Sequence, residues 1–127
     1  METKRKAFIL FILCIVWASI IFIGCTMPPK QLPKSSIPHI DKAAHFGFFF
    51  IQSVLLSFLF RYRSVKSYFH VILFSTLLAF IYGGFIEFLQ NQFFNRTGDW
   101  YDLIADVIGG FFGAISPPLL HTYFKKN

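Results

Sequence analysis

Four apolar stretches, each about as long as a bilayer is thick, constrain this chain more than anything else in it. The hydrocarbon core is roughly 30 Å deep and a helix rises about 1.5 Å per residue, so about 20 apolar residues make one span. Residues 7–26, 43–60, 68–89 and 103–124 meet that demand. The first carries no ionisable charge, the second only His45, the third His70 and Glu87, the fourth Asp106 and His121. Lipid offers no partners to exposed backbone groups, which makes helices the expected form. The 127 residues suffice for one domain, and 55% hydrophobic content with 20% aromatic is too apolar for an ordinary soluble one. The expectation is a single all-α membrane domain of four transmembrane helices.

The net charge of +6 could suggest a nucleic-acid partner, but the basic residues sit where topology needs them. Lys4, Arg5, Lys6, Arg61, Arg63, Lys66, Lys125 and Lys126 would share one side of a four-span protein, and Lys30, Lys34, Lys42 and Arg96 the other. Eight against four satisfies the positive-inside rule with both termini cytoplasmic. The predicted location is a membrane that the chain crosses four times, with no nucleic-acid partner. Cys14 and Cys25 lie 11 residues apart on the first span, about 16 Å along a helix and too far for a disulfide. They are expected to be packing thiols. Phe22-Ile23-Gly24-Cys25 also has the outline of a lipoprotein cleavage site, although Phe22 suits it poorly.

Residues 27–42 hold four of the six prolines (Pro28, Pro29, Pro33 and Pro38) and are expected to be an extended connector. Asp41 then suits a helix N-terminus, where a carboxylate meets free N–H groups, and His45 shares its face at i,i+4. Glu87 and Gln90 are i,i+3 neighbours near the end of the third span, with Gly83 one turn below Glu87. Asp99, Asp102 and Asp106 recur at i,i+3,i+7, so one helical stripe carries them, and Gly109 and Gly113 continue it. That small-xxx-small pattern admits a close backbone, from this chain or from a second copy. Pro117-Pro118 should kink or end the fourth helix.

Three spans thus bring ionisable groups to the end away from the basic clusters, and the first span brings none. Charges near an apolar span face protein or water and mark function, because at the bilayer centre each costs roughly 2.5–3.5 kcal/mol. An ion-pair network that fixes helix register is the plain alternative: Asp99 as a cap, Arg96 paired with Asp102 or Glu87, His45 bonded to Glu87. Asp106 and Glu87 lie too deep for capping to explain them. His45 and Glu87 are the acid/base candidates should the site carry out chemistry. Asp41, Lys42, Gln90, Arg96, Asp99, Asp102 and Asp106 are the ligand-binding candidates, with Lys42 and Arg96 suited to an anionic group. No cofactor is expected, although Asp99-x-x-Asp102-x-x-x-Asp106 is a pattern on which Mg²⁺ could face a phosphate. No Ser or Cys is recognisably placed beside His45 as a nucleophile.

The motifs Asp41-Lys42-x-x-His45-Phe46, Tyr82-Gly83-x-x-x-Glu87-x-x-Gln90 and Arg96-x-x-Asp99-x-x-Asp102, followed by Gly109 and Gly113, resemble those of the VanZ-like family of small bacterial membrane proteins. Asp106 departs from the pattern, since the family more often has Asn there. The resemblance implies a cell-envelope setting, with the family's namesake linked to resistance to the glycopeptide antibiotic teicoplanin, and it supplies no mechanism. Joined to the charge argument, it implies an outward-facing pocket that engages a phosphate- or amine-bearing envelope lipid or precursor headgroup. The competing expectation is a non-catalytic accessory protein whose Gly109/Gly113 face meets a partner or a second copy in an oligomer.

Overall fold

A computed structural model describes residues 1–31, 34, 36–63, 67–94 and 96–126. Pro33 and Lys66, which entered the loop and topology expectations, lie outside the described residues, as do the side chains of His121, Lys125 and Lys126. Four helices account for nearly all of the chain: α1 (Glu2–Thr26), α2 (Ile40–Tyr62), α3 (Tyr68–Phe93) and α4 (Trp100–Lys126), with no strand among the described residues. All four are long and apolar enough to cross a membrane. Each extends a few residues beyond the stretch that hydropathy marked, because polar residues continue a helix once it has emerged from lipid. The 27–42 connector holds one short 3₁₀ turn at Pro29–Gln31. His39 ends it with a left-handed backbone (φ 58°) that redirects the chain into α2.

Helices α2 and α4 form the tightest pair, and glycine is the reason. A Cβ on Gly109 would collide with the Phe46 carbonyl of α2, and one on Gly113 with the Phe50 carbonyl. The face that the sequence offered to a partner is therefore filled by α2 within the chain. Gly110 brings α4 just as near to Ala79 of α3. Helix α1 packs on α2 and α3 from outside, around Ile21, Cys25, Phe49, Ala79 and Ile86. Side-chain bonds help hold it there: Trp17 Nε1 donates to the Phe48 carbonyl at 2.9 Å, and the Tyr82 hydroxyl to the Ala18 carbonyl at 2.6 Å.

Pro117 and Pro118, expected to kink or end the helix, lie inside α4, which continues past them to Lys126. Each proline removes the N–H that would bond the carbonyl four residues back, freeing those of Gly113 and Ala114. Both carbonyls find hydroxyls. Ser116 Oγ donates to Gly113 at 3.0 Å, and Ser57 Oγ of α2 donates to Ala114 at 3.2 Å. Such re-satisfaction by Ser and Thr is how apolar helices in lipid carry proline.

Candidate functional site

The polar residues of α2, α3 and α4 converge at one end of the bundle, as their positions in the spans required. Lys42 lies in the first turn of α2, and its Nζ donates to Asp41 (3.1 Å), Asp99 (2.8 Å) and Asp102 (3.2 Å). Those three carboxylates could hold a cation together, and the ammonium is the cation they hold. Asp99 precedes α4 and caps it: its Oδ1 accepts the Tyr101 N–H at 2.8 Å. The Lys42 ammonium, helped by that N–H, keeps the Asp99 carboxyl below the usual carboxylate range. A depressed carboxylate pKa stabilises the fold above the unfolded value and loses that contribution only as pH falls through the folded one.

One turn deeper the cluster is buried. His45 is 3% exposed and Asp106 0%, and His45 Nδ1 donates to Asp106 Oδ1 at 2.9 Å. The expected partner of His45 was Glu87. Asp106 takes that place because Gly109, one turn further along α4, seats the helix directly on α2. Glu87 forms the third corner: His45, Glu87 and Asp106 each bring a ligand-type atom within 4.8 Å of the other two. Its Oε2 accepts the Asp99 N–H at 2.8 Å, which ties the end of α3 to the start of α4. Gly83 has a clear purpose here. The Asp106 carboxylate occupies the space where a Cβ on Gly83 would be.

Two expectations are corrected at α1. Arg96, expected to hold an anionic group or, in the packing alternative, Asp102 or Glu87, has its Nη1 donating to the Cys25 carbonyl at 2.6 Å. The buried Gln90 side chain donates to the same oxygen, also at 2.6 Å. Carbonyls in the last turn of a helix lack intrahelical donors, so the end of α1 draws in both groups. The first span, read as apolar support alone, thus contributes Cys25. Its thiol also lies 3.9 Å from His45 Nε2, where the sequence showed no Cys beside that ring. Cys25–His45–Asp106 has the order of a nucleophile, a base and an orienting acid. With Cys25 only 2% exposed, it stands as a buried hydrogen-bond chain. The inward thiol also turns away from the lipid-anchor outline of 22–25, and Cys14 is likewise free and buried.

A half-open groove of about 420 Å³ lies on the α3/α4 side of this end. Glu87, Asn91 and Asp99 give it a polar edge, and Phe80, Phe88 and Trp100 an apolar wall. Trp100 is 78% exposed, a position suited to the headgroup boundary where such rings collect. Glu87 therefore lines the groove and belongs to the buried trio.

No curated protein and no solved structure matches the chain. The VanZ/LLP1 family model matches residues 8–121, which takes in all four spans and every residue of the cluster. A match over that much of the sequence, with the family's spaced motifs meeting at one end of the bundle, makes this chain a member of the VanZ/LLP1 family.

Proposed function

We propose that this VanZ-like protein lies in the bacterial cytoplasmic membrane with its polar end outward, where the groove beside Glu87 and Asp99 engages the amine-bearing headgroup of an envelope lipid or lipid-linked precursor. The observation that carries this reading is the groove's lining: two carboxylates at the edge of an apolar wall. An amine can share Asp99 with Lys42 and bond Glu87 Oε1 once that buried oxygen turns to the groove, while the lipid tail lies along Phe80 and Phe88. The same geometry disfavours a phosphate, since Lys42 is already surrounded by three carboxylates and Arg96 is engaged at Cys25. Five carboxylates against Lys42, Arg96 and His45 leave the site acidic. A role in teicoplanin-type glycopeptide resistance follows the family setting, since such antibiotics act on precursors outside the membrane.

Native mass spectrometry of the purified protein with phosphatidylethanolamine or phosphatidylglycerol tests the headgroup. Wild type should retain the amine lipid in preference, and Glu87→Gln should reduce that preference about tenfold, as loss of one charge-assisted hydrogen bond implies. Equal retention of both lipids would return the cluster to a packing role, the accessory-protein reading. Orientation is tested by cysteine labelling in whole cells. Cysteines replacing Lys34 and Thr97 should react with an impermeant reagent, and one replacing Arg63 should not; labelling at position 63 alone would invert the topology.

A further inference from the structure

The buried trio holds more negative charge than its surroundings answer. Lys42 satisfies Asp41, Asp99 and Asp102. Asp106 gives one oxygen to His45 and Glu87 gives one to the Asp99 N–H. The remaining oxygens, Asp106 Oδ2 and Glu87 Oε1, are buried without a hydrogen-bond partner. Asp106 is fully enclosed, with its side chain 0% exposed. Its Oδ2 lies against Gly83, one turn from Glu87 on the same face of α3. The Asp106 carboxylate therefore splits between two helices: Oδ1 meets His45 on α2, and Oδ2 turns to the face of α3 that carries Glu87. An unpaired buried carboxylate oxygen costs several kcal/mol, so these positions call for a cation or a proton.

We propose that His45, Glu87 and Asp106 bind a divalent first-row transition-metal ion such as Zn²⁺ or Mn²⁺ between α2, α3 and α4. One imidazole nitrogen with two carboxylates is a donor set for these ions, whereas Mg²⁺ favours oxygen alone. Ligand atoms around a tetrahedral ion at about 2.1 Å stand roughly 3.4 Å apart, so a trio within 4.8 Å needs to draw in only slightly. To bind, the ion takes the lone pair of one His45 nitrogen while the ring proton resides on the other, where a neighbour orients it: Asp106 on the Nδ1 side, Cys25 and Asp102 on the Nε2 side. Three protein ligands leave coordination positions open, and Glu87 places the ion at the inner wall of the groove. The site shares Glu87 with the headgroup reading but does not rest on it, and ion binding measured without amine lipid tests it alone.

Protein in neutral detergent, stripped with chelator, is titrated calorimetrically with Zn²⁺ and separately with Mg²⁺, and Co²⁺ is added for its visible absorption. One Zn²⁺ should bind per chain, with Mg²⁺ at least tenfold weaker. Near-isosteric Glu87→Gln and Asp106→Asn should each weaken Zn²⁺ by about tenfold or more, the scale on which metal sites respond to altered ligation. Glu2→Gln, paired with Lys6 at the start of α1 and outside the site, should leave it within twofold. The Co²⁺ bands should vanish in His45→Ala. Absence of saturable Zn²⁺ binding by wild type would overturn the proposal and assign the two oxygens a shared proton. Binding undiminished by both Glu87→Gln and Asp106→Asn, or lost equally in Glu2→Gln, would overturn it too.

Discussion

Gly109→Ala and Gly113→Ala should each destabilise the protein by about 2–3 kcal/mol, although each adds only a methyl group. The obstacle in both cases is the backbone of α2. The Phe46 carbonyl faces Gly109 and the Phe50 carbonyl faces Gly113. A side chain in the way could rotate, but a carbonyl held in a helix cannot, so the helices must separate along their closest contact. Separation would also loosen the His45–Asp106 bond, which depends on the same approach. Gly47→Ala is the control, since a Cβ there meets nothing within 4 Å, and alanine favours a helix over glycine by roughly 0.5–1 kcal/mol. Membrane-extracted protein followed by thermal denaturation on a sizing column reads the difference. Gly113→Ala as stable as Gly47→Ala would mean that α2 and α4 do not pack as described.

Hydropathy reveals helices because lipid imposes a single demand, and all four spans obey it. Spacing also anticipates the cluster: Asp41, Lys42, His45, Glu87, Gln90, Arg96, Asp99, Asp102 and Asp106 meet at one end of the bundle because each lies near the same end of its span. Pairing is less legible. Periodicity gives the face of a residue on its own helix and says nothing of how that helix is rotated against the next. His45 therefore found Asp106, and Arg96 found a carbonyl. Cys25 was invisible for another reason, because its contribution is largely a backbone oxygen exposed by the end of α1. Ser57, which takes up one of the carbonyls freed by the prolines of α4, lies 57 residues from it in sequence, so the sequence left a kink and an end both open. In retrospect Gly83 was a signal: a glycine one turn from Glu87 leaves space that a neighbouring side chain must fill, and Asp106 fills it.

The His45–Asp106 pair separates architecture from function when its two halves are removed singly and together. Asp106→Leu leaves a buried imidazole without its carboxylate, and His45→Leu leaves a fully enclosed carboxylate without its donor. Removing one partner of a buried pair costs about 3–5 kcal/mol, because the survivor keeps its desolvation penalty. Both single variants should therefore lose abundance in the membrane. The double variant, His45→Leu with Asp106→Leu, buries two apolar side chains where the pair stood, and replacing both partners of a buried pair is often neutral or stabilising. Its abundance should return most of the way to wild type, a coupling of several kcal/mol between the sites. Zn²⁺ binding should not return, because two of three ligands are gone. A pair that served packing alone would let the rescued protein recover everything the wild type does. Additive losses in the double variant would instead show that the two residues do not share the buried bond.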